Sequence, residues 1–167
     1  MIRRFALASA VLIAAASATP AMAGTATSNL AVSATVPNNC TISTAAISFG
    51  DYNSASANPL DQTGSVTITC TTGSAATIKL GQGSNANSGS TDSAPQRRLT
   101  NGSNNFLSYQ IYQDSGRSTV WGNTAGTAVP ETGNGAAQSK TVYGRIPPGQ
   151  NVPTGTYTDT VVAEVVF

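Results

Sequence analysis

The chain has 167 residues, of which 40% are apolar and only 9% charged, with eight basic residues, seven acidic residues and no histidine. A balance this close to neutral gives no support for binding to nucleic acid or an anionic membrane, and the lack of histidine removes the commonest general base and zinc ligand. The apolar content is enough for one core, which excludes outright disorder. The composition predicts a single small exported all-β domain.

The first 23 residues have the three-part layout of a secretory signal peptide. Arg3 and Arg4 form a basic start, an apolar run covers 5–18, Pro20 interrupts it, and A-M-A at 21–23 is a cleavage signature. The apolar run is too short for a membrane span, which takes about 20 residues. We therefore expect residues 1–23 to be removed and the rest to be exported without membrane insertion.

The front of the mature chain carries an alternating segment at 30–36, which stops at P-N-N over 37–39. Alternation of this kind predicts a β-strand with its apolar side chains on one face. Those side chains are Leu30, Val32, Ala34 and Val36. The pattern divides the mature chain into an extension at 24–36 and a domain at 37–167. It leaves open whether the strand pairs with its own domain or fills a groove in a neighbouring molecule.

Short alternating segments separated by Gly, Asn, Ser and Pro clusters fill most of the domain. They predict strands at 40–42, 47–49, 65–70, 76–80, 107–113, 118–121 and 142–146. Two long polar stretches, 81–96 and 122–135, predict surface loops. No stretch has helical periodicity with caps, so βαβ units are excluded and a β-sandwich is favoured.

The two cysteines lie in strand-like segments, and Cys40 and Cys70 each share side-chain parity with an apolar neighbour. In an exported chain this favours a disulfide over two free thiols. By the chain-entropy model such a bond stabilises the fold by about 3–4 kcal/mol.

The last segment, 157–167, places five side chains on one face of a predicted strand: Tyr157, Val161, Ala163, Val165 and Phe167. The sequence offers few Lys or Glu residues to guard such an edge against pairing with another strand. A donated strand that buried the four apolar residues of 30–36 would contribute about 5–8 kcal/mol before ordering costs. Because a head-to-tail contact of this kind does not close on itself, it would build fibres.

Catalytic patterns are weak. The G-x-G-x-x-A letters at 81–86 are followed by no helix start, so we interpret them as a loop. The acidic residues are isolated, and turn or cap roles are expected for Asp51, Asp61 and Asp114. We therefore expect no enzyme activity, no metal and no cofactor.

Aromatic side chains leave one binding alternative open, because they could form a platform for sugars. The candidates are Tyr109, Tyr112, Trp121 and Tyr143. In the competing interpretation Tyr109 belongs to the core and the other three cover a sheet face.

Several motifs occur in one order along the domain: C-T-I at 40–42, I-S-F-G at 47–50, G-S-V-T-I-T-C at 64–70, R-L at 98–99, L-S-Y-Q-I-Y-Q-D at 107–114, V-Y-G-R-I-P at 142–147 and G-T-Y-T-D-T at 155–160. This arrangement resembles the spore coat protein U domain family, the subunits of archaic chaperone–usher pili. The resemblance implies an incomplete immunoglobulin-like β-sandwich with a Cys40–Cys70 bridge, completed by a donor strand from a chaperone or another subunit.

The resemblance also implies partners and a place for the site. A periplasmic chaperone would lend the missing strand, and at the outer-membrane usher residues 30–36 of an incoming pilin subunit would replace it. The acceptor groove would be lined by Val161, Ala163, Val165 and Phe167, with Phe167 near the chaperone's anchoring site. The product would be a surface pilus that supports adhesion and biofilm formation. A self-complete secreted coat or matrix protein and a carbohydrate-binding module are the alternatives.

Overall fold

The computed structural model describes residues 21–167, so most of the predicted signal peptide lies outside the described residues. The backbone divides into two units, Met1–Thr35 and Val36–Phe167. Residues 21–35 of the first unit form no helix or strand. The second unit contains no helix and eight strands. They are β1 (Cys40–Ala45), β2 (Leu60–Cys70), β3 (Ala75–Leu80), β4 (Arg97–Thr100), β5 (Phe106–Tyr112), β6 (Val129–Thr132), β7 (Ala137–Ile146) and β8 (Ala163–Val166).

The strands of the second unit form two antiparallel sheets. The larger has the order β1-β2-β7-β5-β4 and the smaller has the order β6-β3-β8. In the larger sheet Cys40 lies opposite Cys70, and in the smaller sheet Ile78 lies opposite Val165. β1 and β8 are each the last strand of their sheet, and so are β4 and β6. The prediction of an all-β sandwich is confirmed.

The core lies between the sheets and is made of alternate side chains from both. Along β3, for example, Ala76, Ile78 and Leu80 are buried while the residues between them face outward. This alternation follows from the pleat, which sends successive side chains to opposite faces. The buried apolar residues of this cluster are Val66, Ile68, Cys70, Ala76, Ile78, Leu80, Leu107, Tyr109, Ile111, Trp121, Val142 and Ile146.

Cys40 and Cys70 form a disulfide across β1 and β2, as predicted. Next to it, the Thr71 amide donates a hydrogen bond of 2.9 Å to the carbonyl of Asn39. The disulfide and this hydrogen bond fix the start of β1 to the end of β2.

Two strand predictions were wrong in this structure, and the strand at 30–36, which is not paired within the described chain, stays a prediction. Residues 47–49 are irregular, although Ile47 and Phe49 still pack against the core. At 118–121 only an isolated bridge between Val120 and Tyr112 is present. The long terminal strand is likewise shorter than predicted, since only Ala163–Val166 is paired as a strand.

The prediction of a loop at 122–135 was also wrong, because β6 lies within it. β4 was missed as well. Both strands have four residues and carry charge or proline, so neither shows the alternation of apolar residues that marks the longer strands. The partner of β6 is the distant strand β3, whereas β4 pairs with β5, the next strand along the chain.

Candidate functional site

An open cleft of about 270 Å³ separates β1 and the segment after it from β8. β1 pairs only with β2 and β8 only with β3, so in the described chain each strand has one edge without a ladder partner. Most of the lining is apolar. The residues that form this apolar lining are Ala45, Ala46, Ile47, Phe49, Val66, Leu80, Leu99, Tyr109, Ile111, Val142, Val161 and Ala163. The site is therefore an opening between the two sheets, at the unpaired edges of β1 and β8, through which the core of the sandwich is exposed. We call this opening the β1–β8 seam.

The predicted groove residues lie along or beside this seam. Val161 and Ala163 line the cleft, and Val165 packs against the core opposite Ile78. Phe167 follows β8 and is 51% exposed. On the outward face of the same segment Val162 is 70% exposed. The alternation predicted for 157–167 thus holds for Val161, Ala163 and Val165.

A polar cluster fixes the chain where it enters this seam. The Tyr109 hydroxyl donates to Asp159 Oδ2 at 2.7 Å, and the Asn85 amide and Nδ2 donate to Asp159 Oδ1 at 3.1 and 3.0 Å. Burial, reinforced by the bond to the carboxylate, raises the pKa of Tyr109. Gly83 has φ +89° and its α-carbon lies against the carboxylate, so a side chain there would displace Asp159. Asp159 thereby joins the 81–86 loop, β5 and the approach to β8.

Arg97 was not singled out in the sequence. It lies in the edge strand β4, yet its side chain is buried, with 1% exposure. Its guanidinium donates to the carbonyls of Leu80, Gly81 and Trp121 at 2.6–3.0 Å and to Gln110 Oε1 at 2.7 Å. Burial lowers the pKa of Arg97 to about 10, so the group is charged at neutral pH. The bonds hold β4 of the larger sheet to the end of β3 in the smaller one.

The N-terminal extension has its apolar side chains in solvent. Leu30 and Val32 are each 87% exposed, Val36 is 78% exposed, and Ala34 is also exposed. Such a run of exposed alternating apolar residues is uncommon in a soluble protein unless it marks an interaction site.

The structure also shows the roles of one aromatic candidate and two acidic residues that the sequence analysis named. Trp121 is 1% exposed and its Nε1 donates to the Ile78 carbonyl, so it belongs to the core and does not cover a sheet face as predicted. Asp114 accepts from the amides of Ser118 and Thr119, in the predicted turn role. Asp61 instead forms a two-bond ion pair with Arg145 across β2 and β7, so its predicted turn or cap role was wrong.

The described part of the chain contains neither a group of metal-ligating side chains nor a membrane-spanning helix. No three His, Cys, Asp or Glu side chains within 21–167 are grouped as metal ligands. Within the same residues there is no helix of the length and apolarity that a membrane crossing takes.

The two sheets and the cleft define a β-sandwich whose core is open between two edge strands. The model of the Spore Coat Protein U domain family matches residues 26–164. Protein U of Myxococcus xanthus is 46% identical over 158 residues, which cover 89% of this chain and 88% of that protein. The chain belongs to the spore coat protein U domain family.

Among solved structures, a similar fold occurs in the CsuC–CsuE chaperone–tip adhesion subunit pre-assembly complex from archaic chaperone–usher Csu pili of Acinetobacter baumannii. The TM-score is 0.52 at 24% sequence identity. The match covers 80% of this chain and 40% of that chain, so this chain spans less than half the length of its structural neighbour. The likeness concerns the fold.

Proposed function

We propose that this chain is a structural subunit of a surface pilus, assembled by the chaperone–usher pathway through donor-strand exchange and supporting adhesion and biofilm formation. The observation that carries the proposal is the apolar cleft between β1 and β8 in a domain of this family. The fold shared with a chain of the Csu pilus complex supports it further.

Two features of the described chain support an exchange reaction. The cleft offers unpaired strand edges on β1 and β8 above an apolar floor, and the extension offers Leu30, Val32, Ala34 and Val36 at alternate positions. A strand inserted there would gain ladder hydrogen bonds from the edges and register from the alternate side chains. Residues 30–36 of one copy would be the donor for the cleft of the next.

The exposed apolar cleft also accounts for the proposed partners, a periplasmic chaperone and an outer-membrane usher. An exposed apolar cleft invites aggregation, so a subunit of this kind needs a periplasmic chaperone that fills the cleft before assembly. At an outer-membrane usher the incoming subunit would displace that chaperone strand. The result would be a head-to-tail polymer at the cell surface.

The test uses the chain beginning at Gly24 in two variants that carry the same two-charge change on opposite faces of the extension. Val32→Asp with Ala34→Asp puts charge on the face that would enter the cleft, and Ser33→Asp with Thr35→Asp puts it on the other. We expect the first variant to stay unpolymerised by light scattering and electron microscopy, and the second to form fibres like the parent. Finding the first variant inside fibres would refute the donor assignment.

A second candidate is a self-complete secreted coat protein, which the name of the Spore Coat Protein U domain family suggests. This candidate predicts a chain that stays monomeric and protease-resistant without any chaperone. The pilus subunit predicts polymerisation, aggregation or proteolysis under the same conditions.

A further inference from the structure

A second seam opens between the sheets on the side where β6 lies near β7. β7 pairs with β2 along its length, but with β5 only at Tyr143, Gly144 and Arg145. Its first half therefore has one edge without a ladder partner in the described chain, and so does β6, which pairs only with β3. A cleft of about 160 Å³ lies there, lined by Gln113, Trp121, Val129, Ser139, Lys140, Thr141 and Tyr143.

Polar side chains span this seam. Gln138 Nε2 donates to Glu131 Oε1 at 2.8 Å and to the Thr132 carbonyl at 3.1 Å. Lys140 Nζ forms an ion pair with Glu131 Oε2. Glu131, Gln138 and Lys140 are half-buried and alternate with exposed neighbours, so all three lie on the faces of their strands that turn toward the sandwich interior.

Charged residues are scarce in this chain, so their presence at the β6–β7 seam is notable. The sequence contains only two glutamates and two lysines, and one of each is used at this seam. Gln138 Oε1 is buried without a hydrogen-bond partner, which lowers the stability that the cluster can contribute. Inward-pointing charges in an edge strand are one of the devices by which β-proteins prevent pairing with another chain.

We propose that the Glu131–Gln138–Lys140 cluster is a specificity device that denies the β6–β7 seam to an inserting strand and so restricts insertion to the β1–β8 cleft. The inference rests on the proposed donor-strand function. A strand entering between β6 and β7 would have to separate Glu131 from Lys140 and bury both charges beneath apolar side chains. Pro130 in β6 adds to the effect, because its nitrogen has no hydrogen to give to a new ladder.

The test follows where a donor peptide binds. A synthetic peptide of residues 24–39, with a photoreactive side chain in place of Val32, is added to the chain beginning at Gly24 that carries Val32→Asp with Ala34→Asp, because its own extension should leave the cleft free. This chain is the parent of the variants below, and cross-links are mapped by mass spectrometry. In this parent we expect labelling of β1 and β8 at one peptide per domain. In Glu131→Val with Lys140→Val we expect labelling of β6 and β7 to rise at least tenfold and the stoichiometry to approach two.

Two further variants make the result specific. Thr132→Val with Ala137→Val places two valines on the same strands at exposed positions outside the cleft lining, and it should label like the parent. Glu131→Gln with Lys140→Met removes both charges with side chains of similar size, so it should fold even if the valine variant does not, and it should still raise β6–β7 labelling above the parent.

The outcomes separate the two proposals. If the parent labels β1 and β8 while neither variant that removes both charges shows new labelling, the role of the cluster is refuted and the donor-strand function stands. If the parent labels neither β1 nor β8, the donor-strand function itself fails, and the role of the cluster fails with it.

Discussion

The sandwich has two seams between its sheets, and they differ in what crosses them. At the β6–β7 seam Glu131, Gln138 and Lys140 join the strands through side chains. At the β1–β8 seam no hydrogen bond or ion pair joins the two strands in the described chain, and the lining is mostly apolar. On the two proposals made above, unpaired edges alone would not define an acceptor site, and the side chains at the edge would decide whether a strand can enter.

The largest expected change comes from Arg97, which holds the sheets together independently of either seam. Arg97→Met keeps the apolar stem but leaves three buried carbonyls without their donors. We expect a loss of about 3–5 kcal/mol in the free energy of unfolding, measured in urea by Trp121 fluorescence.

Arg98 provides the matched control for that variant. It is the next residue in β4, donates to the carbonyls of Asn85 and Ala86, and lies over the Phe106 ring. Because it is only part-buried, we expect Arg98→Met to cost about 1 kcal/mol. Equal losses at the two positions would contradict the role given to Arg97.

Removing the disulfide should weaken the β1 side of the acceptor cleft. Cys40→Ala with Cys70→Ala frees the start of β1, and we expect a loss of about 2–4 kcal/mol. Hydrogen exchange should show faster exchange in β1 than in β7. Uniform acceleration over both strands would contradict a local effect at the cleft.

The β8 side of the cleft can be tested through Tyr109. Tyr109→Phe removes the hydrogen bond to Asp159, and we expect a loss of about 2 kcal/mol with faster hydrogen exchange in β8. Tyr112→Phe alters the same strand on a less buried side chain and should change stability by less than about 0.5 kcal/mol. If exchange in β8 is unchanged in Tyr109→Phe, Asp159 does not position that strand.

Asp61 and Asp114, which lie away from both seams, should contribute to the loss of stability at acid pH. Bonds from Arg145 lower the pKa of Asp61, and the amides of Thr119 and Ser118 lower the pKa of Asp114. Because both pKa values are below the unfolded-state value of 3.8, their contribution is present above about pH 4 and lost as the pH falls through the lowered values. Asp61→Asn with Asp114→Asn should lose stability less steeply below about pH 4 in urea titrations. Equal steepness would contradict this.

The smallest expected effect on stability is at the β6–β7 seam. Glu131→Lys with Lys140→Glu exchanges the charges and keeps the ion pair. Neutralising the pair should lower the free energy of unfolding by no more than about 1 kcal/mol, because Lys140 is partly exposed. Thermal unfolding measures this directly. A loss of several kcal/mol on neutralisation would assign the cluster to stability and not to specificity.

The sequence predicted the features that depend on local periodicity. Alternation identified β3 and β5, and the parity of Cys40 and Cys70 predicted the disulfide. It could not predict β4 or β6, since neither four-residue strand carries an apolar period, and β6 is in addition held by the distant strand β3. Nor did it show that Arg97 is buried, because carbonyls from separate segments solvate the guanidinium only after folding.

The most direct test of the central claim joins the extension to the cleft covalently. Val32→Cys with Ala163→Cys in the same chain, oxidised mildly with the native Cys40–Cys70 bond intact, reports which copy supplies the strand. The donor-strand account predicts a ladder of disulfide-linked multimers on a non-reducing gel that collapses to monomer on reduction. A covalent monomer, closed by an intramolecular bond between the two introduced cysteines, would show that each domain fills its own cleft and would contradict the account.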